Sequence, residues 1–115
     1  MRITTADEAP PYHPPLHQDV QAVRLQGHEA GPTSRFWVGR SRYLPGGRAE
    51  EAPTAEETVY VVLDGELVLS TGGQDSTIRA GDSVHLPKGT VRSLENRSGK
   101  DASLLVVIAI PVPTL

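Results

Sequence analysis

Ten prolines and eleven glycines among 115 residues cut this chain into pieces too short for long helices. Proline lacks the amide proton that a helix interior needs, its ring clashes with the turn before it, and glycine costs backbone entropy there. Between these breaks lie short runs of β-branched and aromatic residues, the strongest being Val59-Tyr60-Val61-Val62-Leu63. Strands are expected at residues 20–25, 36–44, 58–63, 66–71, 76–79, 83–86, 90–94 and 104–110, with a loop at 27–33. Pro45-Gly46-Gly47 is expected to turn the chain. Asp64-Gly65 matches a type I′ hairpin that folds 66–71 back onto 58–63, and Gly72-Gly73-Gln74-Asp75 marks another turn. Short strands with turn signals between them indicate an all-β antiparallel sandwich or small barrel. Pro10-Pro11-Tyr12-His13-Pro14-Pro15 keeps residues 1–19 an extended arm, leaving 20–115 as a single domain.

Composition narrows the function classes. A formal net charge of -3 gives no basic surface to neutralise phosphates, so nucleic acid is not an expected partner. With no cysteine, disulfides, thiolate nucleophiles and thiolate metal sites are excluded. The longest apolar run, residues 104–112, contains Pro111 and falls short of the roughly 20 residues a spanning helix needs, so no membrane is expected. The amino end has acidic residues and no apolar signal segment, and the expected location is cytoplasmic.

Two stretches carry a family pattern. Gly46, Ala52, Thr54, Thr58 and Gly65 have the spacing of a first motif, and Gly81, Pro87, Gly89, Arg92 and Asn96 that of a second. Together they resemble the two motifs of the cupin superfamily, over residues 36–111. The resemblance implies a double-stranded β-helix, the jelly-roll cupin barrel. In cupins the first motif carries two histidines and a glutamate and the second a histidine, which bind a metal. Those positions here hold Ala52, Thr54, Thr58 and Arg92. Alanine offers no donor, a threonine hydroxyl is a weak neutral ligand, and a guanidinium has no lone pair to give. No metal and no cofactor are therefore expected. The four histidines supply no replacement: Pro14 and Pro15 forbid the helix that would bring His13 and His17 to one face, and His28 and His85 lie apart.

Alternation along strands then says which side chains share the interior. If Thr58 takes the inward ligand slot, Tyr60 and Val62 point inward with it, and Trp37, Gly39, Ser41 and Tyr43 form one face of their strand. Arg92 projects a guanidinium among Trp37, Tyr43 and Tyr60, an arrangement suited to a small anionic or aromatic metabolite. The ligand-binding set is Trp37, Tyr43, Ala52, Thr54, Thr58, Tyr60 and Arg92. Arg92, Tyr60 and His85 are the candidate catalytic residues, His85 only if a one-residue change of register turns it inward. The alternative for Arg92 is a salt bridge to Glu56, Glu57 or Glu95, and Thr54 and Thr58 either meet a ligand or bond one another. Glu50-Glu51 and Glu56-Glu57 read as a solvated acidic rim.

Three functions fit these residues. One is a metal-independent enzyme of isomerase, lyase or decarboxylase type, in which Arg92 stabilises negative charge and a tyrosine or histidine moves a proton. The others are a non-catalytic small-molecule binding or sensing module, and a degenerate cupin with a structural role. The family's habit of exchanging amino-terminal strands, with the long arm, implies a homodimer.

Overall fold

The computed structural model describes residues 1–112, so the last three residues of the segment expected as a barrel, 113–115, lie outside it. Nine strands follow in order: β1 (Pro11–Tyr12), β2 (His17–Gln26), β3 (Phe36–Pro53), β4 (Thr58–Asp64), β5 (Glu66–Thr71), β6 (Gln74–Arg79), β7 (Ser83–Leu86), β8 (Val91–Glu95) and β9 (Ala102–Ala109). A single 3-10 turn, His28–Ala30, sits in the loop after β2. All pairings are antiparallel, and the strands run β6-β5-β8-β3-β9-β4-β7, with β2 added to β3 and β1 to β2. This is the all-β jelly-roll barrel that the motif spacing implies.

Pro45-Gly46-Gly47 does not reverse the chain. It lies inside β3, where the pairing with β2 jumps from Val20↔Tyr43 to Gln18↔Arg48. Gly46 and Asp19 take positive φ there, at 81° and 54°, so the bend is a bulge shared by both strands. Its effect is to pass one long strand between two walls. Before it, Phe36 to Tyr43 pair with β9; after it, Arg48 to Pro53 pair with β8.

The hairpin expected at Asp64-Gly65 is also absent. A type I′ turn needs positive φ at both central residues, and only Gly65 has it, at 74°. The chain crosses here from one wall to the other: β4 pairs with β7 and β9, while β5 pairs with β6 and β8. Gly65 is packed so tightly that a Cβ would lie 2.7 Å from the Asp101 carbonyl. The two-residue hairpin with both φ positive is Gly72-Gly73, at 60° and 75°, where Thr71 pairs with Gln74.

Inward positions fill one core of Tyr43, Val62, Leu67, Leu69, Leu94 and Leu104 with their neighbours. Each buried aliphatic side chain there contributes roughly 1.5–3 kcal/mol. Asn96, the last residue of the second motif, is fully buried and pins the structure: its Nδ2 donates to the Tyr43 carbonyl at 2.9 Å and the Lys100 carbonyl at 2.7 Å, while Oδ1 accepts from the Ser98 amide. No helix among the described residues is long and apolar enough to cross a membrane.

Candidate functional site

A cavity of about 330 Å³ opens at one end of the barrel. Its wall carries Trp37, Tyr43, Ala52, Thr54, Thr58, Tyr60 and Arg92, so the fold brings together all the residues expected to bind a ligand. Alternation along β4 accounts for part of this, since Thr58, Tyr60 and Val62 are buried while Val59 and Val61 are only partly so.

Arg92 enters from β8. Its Nε donates to the Tyr60 hydroxyl oxygen at 3.0 Å and its Nη1 to the Glu50 carbonyl at 3.3 Å. None of the three carboxylates considered as its partner reaches it: Glu56 pairs with Lys88 at 3.5 Å, Glu57 with His85 at 2.6 Å and Glu95 with Arg97 at 3.0 Å. Among the described residues Arg92 therefore has no ion pair. A partly buried guanidinium without a counter-charge is costly, and it leaves donors available to a ligand.

Thr54 and Thr58 bond neither each other nor empty space. Thr54 Oγ1 donates to the Pro87 carbonyl at 2.8 Å and accepts from the Thr90 amide at 3.0 Å, which ties the turn before β8 to the end of β3. Thr58 Oγ1 donates to the Glu56 carbonyl at 2.9 Å. Both hydroxyl protons are thus spent inside the scaffold. His85 sits apart from Arg92 and Tyr60. It is outside the cavity on the exposed face of β7, paired with Glu57, because Val59↔His85 register turns it away from the interior.

Several groups on the wall escape a reading of the sequence alone. The arm folds over the mouth: β1 pairs with β2 of its own chain, and Tyr12, His13 and His17 join the lining. Arg24 of β2 lies between two rings, its guanidinium carbon 4.2 Å from the Tyr12 centroid and 4.3 Å from that of Trp37. Glu29 Oε1 is 3.3 Å from Arg24 Nε yet out of line for a hydrogen bond, and Nε and Nη1 have no hydrogen-bond partner. Glu50 and Glu56 also reach the wall, while Glu51 and Glu57 are exposed. For Glu50 and Glu51 strand alternation was the available signal, missed because no strand was expected beyond residue 44 while β3 runs on to Pro53; Glu56 and Glu57 lie between β3 and β4, where no alternation applies.

Burial shapes the titration of the wall. It pushes the Tyr43 hydroxyl well above the usual phenol range; nearby Tyr60 adds to this and Arg92 opposes it. It raises Tyr12 as well, against the pull of Arg24. His17 is lowered, chiefly by burial, with a hydrogen bond to the Pro15 carbonyl opposing and the Arg92 charge assisting.

The metal that cupins commonly hold does not fit these residues. Its four ligand positions present a methyl, two hydroxyls whose protons are held by carbonyls, and a cation. Among the described residues no three acidic or histidine side chains converge on a point where an ion could sit.

A jelly-roll barrel with a cavity at the motif positions is the architecture of known proteins. The family model described as a cupin domain matches residues 39–108. This chain belongs to the cupin family. Among curated proteins it is 57% identical over 112 residues, covering 97% of each chain, to one named Beta-D-galactosidase Rv1717 from Mycobacterium tuberculosis. Among solved structures it resembles the polyketide cyclase RemF from Streptomyces resistomycificus, with a TM-score of 0.85 at 18% identity over 99% of this chain and 82% of that one. It also resembles a predicted oxalate decarboxylase from Thermotoga maritima, with a TM-score of 0.79 at 25% identity over 96% of this chain and all of the other.

Proposed function

We propose that the barrel cavity is an enzyme site that hydrolyses a β-D-galactoside with the chain's own side chains and without a metal ion. One observation carries the reading: Glu50 and Glu56 stand on the cavity wall of a chain 57% identical, across 97% of its length, to a protein named beta-D-galactosidase. Hydrolysis adds water across the bond between the anomeric carbon and its leaving oxygen. It needs a proton for that oxygen and a negative charge beside the positive anomeric carbon, and glycosidases meet both needs with a pair of carboxyl groups. On this reading Glu50, whose carboxylate accepts from Gln18 at 2.9 Å, and Glu56, paired with Lys88 at 3.5 Å, turn from those partners to supply such a pair. Arg92 and Tyr60 hold sugar or leaving-group oxygens; because Tyr60 already accepts from Arg92, its own proton is free to be donated into the cavity. Trp37 and Tyr43 contribute ring carbons to the wall. A volume of about 330 Å³ lies at the small end of ligand pockets and suits one sugar ring.

A second reading is favoured by the two guanidiniums, Arg92 and Arg24, neither held by a hydrogen-bonded carboxylate. On it the cavity takes a small anionic or aromatic metabolite, either as substrate for proton transfer at Arg92 and Tyr60 or as a bound signal. One set of measurements separates the two. Chelator-treated protein should release nitrophenol from o-nitrophenyl β-D-galactoside, and Glu50→Gln and Glu56→Gln should each lose about a hundredfold or more in kcat with an unchanged Tm. No turnover by wild-type protein, together with a Tm raised by an aromatic carboxylate and not by galactose, would establish the second reading instead.

A further inference from the structure

We propose that His17, presented by the amino-terminal arm, is the cavity's hydrogen-bond acceptor for a substrate hydroxyl and so a specificity-determining residue. The inference rests on the sugar reading of the same cavity. Its geometry begins with the strap. Backbone bonds fasten the arm to the barrel on both sides of the cavity mouth, from the Arg24 amide to the Pro10 carbonyl at 2.8 Å and from the Glu50 amide to the Leu16 carbonyl at 2.8 Å. Leu16 adopts a φ of 60°, a left-handed conformation uncommon for a side chain of its kind, immediately before β2 begins. The turn so formed places the His17 imidazole against the Tyr43 ring, 6.4 Å between centroids, on the cavity wall.

The ring is oriented by its hydrogen bond. Nδ1 lies 2.8 Å from the Pro15 carbonyl, and a carbonyl only accepts, so Nδ1 carries the proton. In the neutral ring Nε2 then holds a lone pair, and it has no partner among the described residues. Among the titratable and charged groups that share the cavity wall with it are Tyr43 and Glu50 of β3, Tyr60 of β4, Arg92 of β8 and His13 on the arm itself. Burial and the Arg92 charge both hold His17 below its ordinary value, so the neutral ring persists into mildly acidic solution. Arginine and a tyrosine bonded to it direct donors at a sugar; His17 supplies an uncharged acceptor from the arm. A hydroxyl that donates to Nε2 is distinguished from a hydrogen or an ether at the same carbon, because neither of those offers the lone pair a proton.

The test uses full-length protein with 15N-labelled histidine and galactose as the probe. The His17 Nε2 resonance should be that of an unprotonated nitrogen at pH 7 and should move on adding galactose. Asn in place of His17 keeps a donor for the Pro15 carbonyl but lacks Nε2. His17→Asn should therefore retain its Tm, raise KM for the aryl galactoside about tenfold, and leave kcat nearly unchanged. Wild-type KM should rise as pH falls through the His17 midpoint below 6.5, where Nε2 gains a proton, and the variant should lose that limb. A galactose-dependent Tm with an unmoved Nε2 signal, a protonated Nε2 at pH 7, or an unaltered KM in the variant would overturn the proposal while leaving galactoside hydrolysis standing. A shifted Nε2 without any turnover would do the reverse. If galactose neither binds nor reacts, both fall.

Discussion

The same strands build two unlike halves of one interior. Toward the closed end β4 buries Val62, β5 Leu67 and Leu69, and β8 Leu94, all apolar. Toward the mouth those or adjoining strands present Thr58 and Tyr60 on β4, Glu50 on β3 and Arg92 on β8. Inward direction alone does not separate core from site; position along the strand does. The closed half is held by area removed from water, so its side chains are interchangeable only with others of their size. The open half holds a guanidinium without a carboxylate and an imidazole nitrogen without a partner, beside Glu50 and Glu56, whose carboxylates meet Gln18 and Lys88.

Substitutions in the two halves should therefore diverge. Leu94→Ala, in the closed half, removes a fully buried side chain and should cost about 2–5 kcal/mol in urea unfolding. Thr54→Val, at the mouth but tied into the scaffold, removes the Thr54 bonds to the Thr90 amide and the Pro87 carbonyl, which still bond each other at 3.1 Å, and should cost about 0.5–1.5 kcal/mol. If Thr54→Val is harmless, its hydroxyl belongs with the site. Tyr43 spans the two halves and carries a pH signature. Its folded value is raised by burial, so above about pH 10 the unfolded chain loses a proton that the folded chain keeps. Tyr43 should make stability fall as pH rises past that point, by up to about 1.4 kcal/mol per pH unit, and Tyr43→Phe should lessen the slope to what Tyr12, also raised, contributes. Arg92→Met should change stability least, by less than about 1 kcal/mol in either direction, because no ion pair is lost, while abolishing ligand binding.

Much of this was legible in the chain. Strand positions followed from β-favouring runs between turn residues, and motif spacing placed Arg92, Tyr60, Trp37 and Tyr43 on one wall, as the fold does. What failed were places where local chemistry was overruled from far away. Asp64-Gly65 has the residues of a hairpin, but Gly65 packs against Asp101 and Ala102, and the chain changes wall there. Pro45-Gly46-Gly47 has the residues of a turn, but Asn96 holds it within β3: the Gly46 amide donates to the Asn96 carbonyl and the Asn96 amide to that of Gly47, both at 2.9 Å. His17 and Arg24 were invisible as site residues because nothing local says that a proline-rich arm closes over a mouth formed by residues far along the chain.

A crystal structure of the protein grown with galactose tests the central claim most directly. It should show the sugar inside the barrel, beside Arg92 and Tyr60 with Glu50 and Glu56 in reach and no transition metal coordinated there. Galactose seated on the outer groove by Arg40 and Lys100, or a metal ion bound among Ala52, Thr54, Thr58 and Arg92, would contradict it.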